Sequence, residues 1–187
     1  MTVHGREVAL VGEAYFVVTH DALRPFTVRA GGAVIRDIGT EFSVRSDGRG
    51  LVRVVVREGS VQLSHPRDSV VLSPRDSVVL SRGDVGTIAS DGRLSASRGA
   101  ATDDDLAWTR GQLVFKDASV AELGADLRRW YGVELRVTDS ALLRRHFTGS
   151  FVDESPSRVL DVIAIALGAR AERRGDTVYI RPAAAPK

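Results

Sequence analysis

The sequence predicts an α+β protein of two modules: an all-β N-terminal part built of short strands, then a small βαβ-βαββ module. Three observations carry this. Residues 25–45, PFTVRAGGAVIRDIGTEFSVR, hold three short alternating segments with glycine at both joints. That period of two marks strands with one face buried. From Ser95 to Asp105 the chain turns to SASRGAATDDD, a composition typical of linkers. Beyond it, Ser119 with Glu122, and Ser155 with Pro156, give helix-start signals ahead of apolar residues at helical spacing.

In the first module, Glu7–Val11 and Ala14–Thr19 read as strands broken at Gly12-Glu13. Phe26, Val28 and Ala30 share one side of the next, with Thr27 and Arg29 on the other. Gly31-Gly32 makes a corner, Val34, Ile35 and Ile38 carry the following segment, and Gly39-Thr40 allows another bend. Phe42 and Val44 then point one way, and Glu41, Ser43 and Arg45 the other. Leu51–Glu58 alternates Val52, Val54 and Val56 with Arg53, Val55 and Arg57, and Gly59-Ser60 turns the chain into Val61–Ser64. Such strands suit either a sandwich or a β-helix-like stack.

Residues 66–81 repeat one octapeptide, PRDSVVLS, twice in succession. Two copies of so short a period fit an insertion that adds one strand and turn. The alternative is one β-helix rung per copy. In the linker, one of Asp103, Asp104 and Asp105 is expected to cap a short helix through Leu106, Ala107 and Trp108, where carboxylates suit a helix N-terminus.

The last third alternates strands and helices. Gln112–Lys116 is a strand; Val120, Leu123, Leu127 and Trp130 or Tyr131 form the apolar stripe of a helix that Gly132 closes; Val133, Leu135 and Val137 alternate as a strand. Phe147–Val152 opens a second unit, whose helix carries Val159, Leu160, Ile163 and Leu167 and ends at Gly168. Arg170–Arg173 and Thr177–Arg181 are joined tightly at Arg174-Gly175-Asp176. Two helices over one small mixed sheet would bury these apolar sides, since neither helix is long enough to persist alone. The expected division is 1–97 for the β domain, 98–111 for a linker with a short helix, 112–182 for the α/β domain and 183–187 for a tail.

Composition narrows the function. A chain of 187 residues can bury about 70% of its extended surface, enough for a sizeable core. Its net charge is +2, and the basic residues, nearly all arginine, are spread over outward strand positions such as Arg29, Arg45, Arg53, Arg57 and Arg136. Scattered charge of this kind reads as a solvated face, not a nucleic-acid surface. The chain has no cysteine, which excludes disulfides, a thiol nucleophile and a cysteine zinc site. No apolar run reaches the roughly 20 residues that cross a bilayer, and no signal-peptide pattern opens the chain.

No catalytic, cofactor-binding or metal-binding residue is expected. His4, His20, His65 and His146 share no ligand spacing. His20-Asp21 has no nucleophile motif beside it, Gly31-Gly32 is a turn and not a phosphate cradle, and Asp153-Glu154 stand where acids favour a helix start. What remains is binding by surface. Thr177, Val178, Tyr179, Ile180 and Arg181 read as a C-terminal edge strand able to recruit a partner through its main chain; the competing reading makes Val178 and Ile180 core and leaves Tyr179 half exposed.

Four blocks in order, Gly12-Glu13-Ala14-Tyr15-Phe16-Val17-Val18, Arg24-Pro25-Phe26-Thr27-Val28, Gly39-Thr40-Glu41-Phe42-Ser43-Val44 and Val56-Arg57-Glu58-Gly59-Ser60-Val61, resemble the FecR family of anti-sigma regulators. Trp108-Thr109-Arg110-Gly111-Gln112-Leu113-Val114-Phe115 is similar to the junction joining that family's two parts, and the C-terminal module resembles the secretin and TonB short N-terminal fold. The resemblance implies a non-catalytic periplasmic sensor region, from a protein that spans the inner membrane once. Its partner would be the N-terminal signalling domain of a TonB-dependent outer-membrane receptor, and it would control an extracytoplasmic-function sigma factor through a cytoplasmic region lying outside this chain. The family's membrane helix and earlier β segments are not found here, so the chain reads as a periplasmic fragment, or as a member shortened within its first β module, with Glu7–Val11 left as an edge. The rivals are a carbohydrate- or peptidoglycan-binding envelope protein and a secretin-like assembly module without sigma control.

Overall fold

A computed structural model describes residues 6–47, 50–65 and 76–183. Its chain divides into two compact units, Met1–Leu106 and Ala107–Lys187.

Ten strands build the first unit: β1 (Arg6–Ala9), β2 (Gly12–Val17), β3 (Phe26–Ala30), β4 (Ala33–Asp37), β5 (Glu41–Ser46), β6 (Val52–Glu58), β7 (Ser60–Ser64), β8 (Ser77–Ser81), β9 (Val85–Ile88) and β10 (Leu94–Ser97). They form two five-stranded sheets, ordered β1-β3-β4-β7-β8 and β10-β9-β6-β5-β2. Val28, Ile35, Leu63 and Leu80 from the first sheet share one core with Phe42, Val44, Val54 and Ile88 from the second, and all are fully buried. Each such side chain contributes roughly 1.5–3 kcal/mol of transfer free energy. The alternation of residues 25–45 thus becomes inward and outward faces.

Glycine decides the corners. Gly31 and Gly32 both have positive φ, 52° and 82°, and close the β3–β4 hairpin in the two-residue turn that matches strand twist. At the neighbouring corner Thr40 Oγ1 donates to the Ser60 carbonyl at 2.6 Å, and a Cβ built on Gly59 would lie 2.1 Å from the Gly39 carbonyl oxygen. Ile38, read with Val34 and Ile35 as carrying this segment, is exposed. Ala33, Ile35 and Asp37 take the buried side of β4, so the alternation itself turns Ile38 outward, just past the strand's end, where the Asp37 carboxylate accepts from the Gly39 amide at 2.9 Å.

The second octapeptide copy supplies β8, antiparallel to β7 with Ser64 opposite Ser77. A β-helix rung pairs in parallel, and among the described residues of this unit β1–β3 is the parallel pair, so the rung reading does not hold for that copy. The first copy, with Pro74 and Arg75, lies outside the described residues. β1 pairs with β3 and stands at the sheet's end. Asp105 organises the start of the 3-10 helix Asp103–Arg110: its carboxylate accepts from the Thr102 amide at 2.8 Å and from Arg53 Nη2 at 2.7 Å.

The second unit runs β11 (Gln112–Ser119), α1 (Val120–Tyr131), β12 (Glu134–Val137), α2 (Ser140–Leu143), β13 (His146–Val152), α3 (Pro156–Ala166), β14 (Ala169–Arg174) and β15 (Thr177–Pro182). Ser119 and Glu122 form the predicted capping box, Gly132 ends α1 at φ 65°, and Ser155 caps α3 with Pro156 in its first turn. Leu123, Leu127, Val159 and Ile163 enter one core with Phe115, Phe147, Phe151, Val178 and Ile180. The single mixed sheet expected from the sequence is instead two sheets, β11-β13 and β12-β15-β14. β11 is also longer than predicted, because a bulge between Phe115 and Ala118, with Asp117 at φ 50°, carries pairing on to Ser119. The sequence reading had no α2; Asp139 caps it by accepting from the Ala141 and Leu142 amides.

Four residues of the junction motif have a local cause. The Trp108 ring packs edge-on against Trp130 at 6.2 Å, Gly111 turns the chain at φ 73° where a Cβ would crowd the Asp153 carboxylate, and Leu113 and Phe115 are buried. Among the described residues, no helix is long and apolar enough to cross a membrane.

Candidate protein-binding surface

β15 is not an edge. It pairs in parallel with β12 and antiparallel with β14, so both sides of its main chain are occupied. The cause is the tight Gly175-Asp176 hairpin on one side and the return of the post-α1 strand on the other. Val178 and Ile180 belong to the core, at 0% and 1% exposure. Recruitment of a partner strand by main-chain pairing at 177–181 is therefore excluded.

Thr177, Tyr179 and Arg181 project from the opposite face. Strand register sets them in rows across the sheet: Glu134, Thr177 and Arg174; then Arg136, Tyr179 and Glu172; then Arg181 and Arg170. Leu135, Val137 and Ala171 point inward with Val178 and Ile180, which leaves this outer face without apolar side chains other than the tyrosine ring. The guanidinium carbons of Arg174 and Arg181 stand 5.5 Å and 5.9 Å from the Tyr179 ring centroid. Both guanidiniums are in cation–π contact with the ring.

Glu172 organises the charges. Its Oε1 lies 2.6 Å from Arg174 Nη2 and its Oε2 3.7 Å from Arg181 Nη1, while Glu134 pairs with Arg136 at 2.8 Å. The hydrogen bond from Arg174, with the charges of Arg174, Arg181 and Arg170, holds the Glu172 carboxyl below its ordinary range. Of this constellation the sequence reading had named Thr177, Tyr179 and Arg181, and had marked Arg136 as outward. Arg170, Glu172 and Arg174 were missed, although their alternation and the two-residue hairpin were a sufficient signal.

Elsewhere the described surface has open depressions, among them one lined by Leu10, Val11, Arg29 and Gly32 and a second by Val17, His20, Glu41 and Glu58. In the second, Glu41 accepts from the Tyr15 hydroxyl at 2.7 Å and lies 3.7 Å from Arg57 Nε, so this acid is held in a local network. His146 Nδ1 lies 3.0 Å from Asp117, and Asp21 is engaged by Arg24. Among the described residues, no group of three histidines or acids is placed to hold a metal ion.

The model of the FecR protein family matches residues 3–62, and that of the FecR C-terminal region matches residues 112–180. Between them they account for most of both units, in order. The chain belongs to the FecR family. All four blocks that suggested FecR lie within the first match, and the Gly39–Gly59 contact joins two of them. Two crystal structures of a provisionally assigned anti-sigma factor from Parabacteroides distasonis ATCC 8503 share the fold, each with a TM-score of 0.76, at 23% and 24% identity. The alignments cover 95% and 96% of this FecR chain and 81% of the other. No curated protein matches it.

Proposed function

We propose that this chain is the periplasmic sensing region of a transmembrane FecR-type anti-sigma regulator. In this reading it binds the N-terminal signalling domain of a TonB-dependent outer-membrane receptor and performs no reaction. Receptor occupancy by an iron-siderophore or similar ligand is then relayed to an extracytoplasmic-function sigma factor held by a cytoplasmic part of the same protein. The observation that carries this is the ordered pair of FecR matches lying on separate units, each with its own hydrophobic core. A receiver that responds to contact needs two arrangements whose balance a partner can bias, and a chain of two separately cored units can supply them.

Titration calorimetry of the chain against the signalling domain of its cognate TonB-dependent receptor tests the proposal. Saturable heat with a Kd on the order of micromolar is expected. No heat and no co-elution with that domain would overturn it.

A further inference from the structure

We propose that the outer face of the β12-β15-β14 sheet docks an extended acidic segment of a partner protein, with alternate carboxylates of that segment meeting Arg174 in the first row, Arg136 beside Tyr179 in the second, and Arg170 with Arg181 in the third. The face carries Arg136, Arg170, Arg174 and Arg181 against Glu134 and Glu172, which leaves two positive charges uncompensated. The excess lies toward the Arg170–Arg181 row, where two arginines stand opposite one another with no acid between them in register.

Geometry selects the occupant. Residues on one face of a strand recur about every 6.6 Å, so the three rows repeat at that interval. An extended segment lying along β15 presents the side chains of its own facing side at the same repeat. A helix does not keep that spacing. The cation–π contacts with Tyr179 restrain Arg174 and Arg181 before the partner arrives, which lowers the ordering cost of binding. An anionic bilayer fits less well, because no aliphatic side chain projects from this face to enter the interface. The inference rests on the receptor reading only for the partner's identity; the surface and its chemistry stand on the sheet alone.

The test has separate arms. The nitrogen-15-labelled chain is titrated with an extended peptide of alternating glutamate and threonine, with its glutamine counterpart, and with phosphatidylglycerol vesicles. Saturable shifts confined to β12, β14 and β15, absent with the glutamine peptide, are expected. The double variant Arg136→Glu, Arg170→Glu should weaken peptide binding at least about tenfold while the melting temperature holds, since both side chains are exposed. Shifts elsewhere, equal binding by the glutamine peptide or the double variant, or binding to vesicles alone would overturn the proposal. In the receptor arm, a signalling domain that binds wild type and double variant alike removes this face from that complex while leaving the receptor reading intact. A domain that binds neither, alongside a positive peptide result, defeats the receptor reading and leaves the surface standing.

Discussion

Gly59 meets Gly39 backbone to backbone: a Cβ on Gly59 would stand 2.1 Å from the Gly39 carbonyl oxygen. Two of the family blocks therefore carry glycine for one shared reason, the passage of the Asp37–Thr40 turn against the start of β7. Gly59→Ala must shift main chain and also places a methyl group at φ 76°. A loss of about 3 kcal/mol or more is expected in urea denaturation. Gly39→Ala, whose Cβ would stand 2.9 Å from His20 Cβ at φ 91°, meets a milder clash than Gly59→Ala and should cost less.

Asp84 holds together the β8–β9 turn and the end of β10. Its carboxylate accepts from the Ser81 amide at 2.9 Å, from Arg98, and from the Gly99 amide at 3.1 Å. The Ser81 amide, with help from Arg98 and Gly99, holds its carboxyl below the ordinary value of 3.8 against the opposing effect of burial. A folded-state pKa below the unfolded one means stability that is present above pH 3.8 and lost as pH falls through the folded value. Asp84→Asn should flatten that acid limb, and Asp84→Ala should cost roughly 1–3 kcal/mol at neutral pH. Thermal melts from acid to neutral pH check both.

Tyr15 gives the opposite limb. Burial, and then its hydrogen bond to Glu41, push the phenol from 10.0 up to about 12. Because the folded chain keeps this proton longer than the unfolded one, stability is present below pH 10 and falls as pH rises toward about 12. Tyr15→Phe should lose some stability at neutral pH and show a weaker decline across that window, read by alkaline denaturation.

Tyr179→Pro removes an amide from a strand paired on both sides. Collapse of the second unit is expected, at a cost of about 3 kcal/mol or more, seen as loss of near-ultraviolet circular dichroism. Had 177–181 been an edge, the same change would have spared the fold.

That contrast shows what the sequence could and could not disclose. Local signals were legible: the Ser119–Glu122 box, Ser155-Pro156, the Gly31-Gly32 corner and the Gly175-Asp176 hairpin are each written in a few adjacent residues. Pairing between distant strands was not. Nothing near residue 179 records that β12, some forty positions earlier, takes its second side, and nothing near Phe115 records that β11 pairs with β13 outside the other sheet. The composition of 177–181 suits an edge and a centre alike, since valine and isoleucine alternate with polar residues in both. Its facing residues were therefore half named, and the arginines of β14 were left out.

The tryptophans of this chain, Trp108 and Trp130, both belong to the second unit and pack against each other. Indole emission therefore reports on that unit and is blind to the β domain, whose tyrosine is Tyr15. Without any added label, one optical channel distinguishes melting of the C-terminal half from melting of its neighbour.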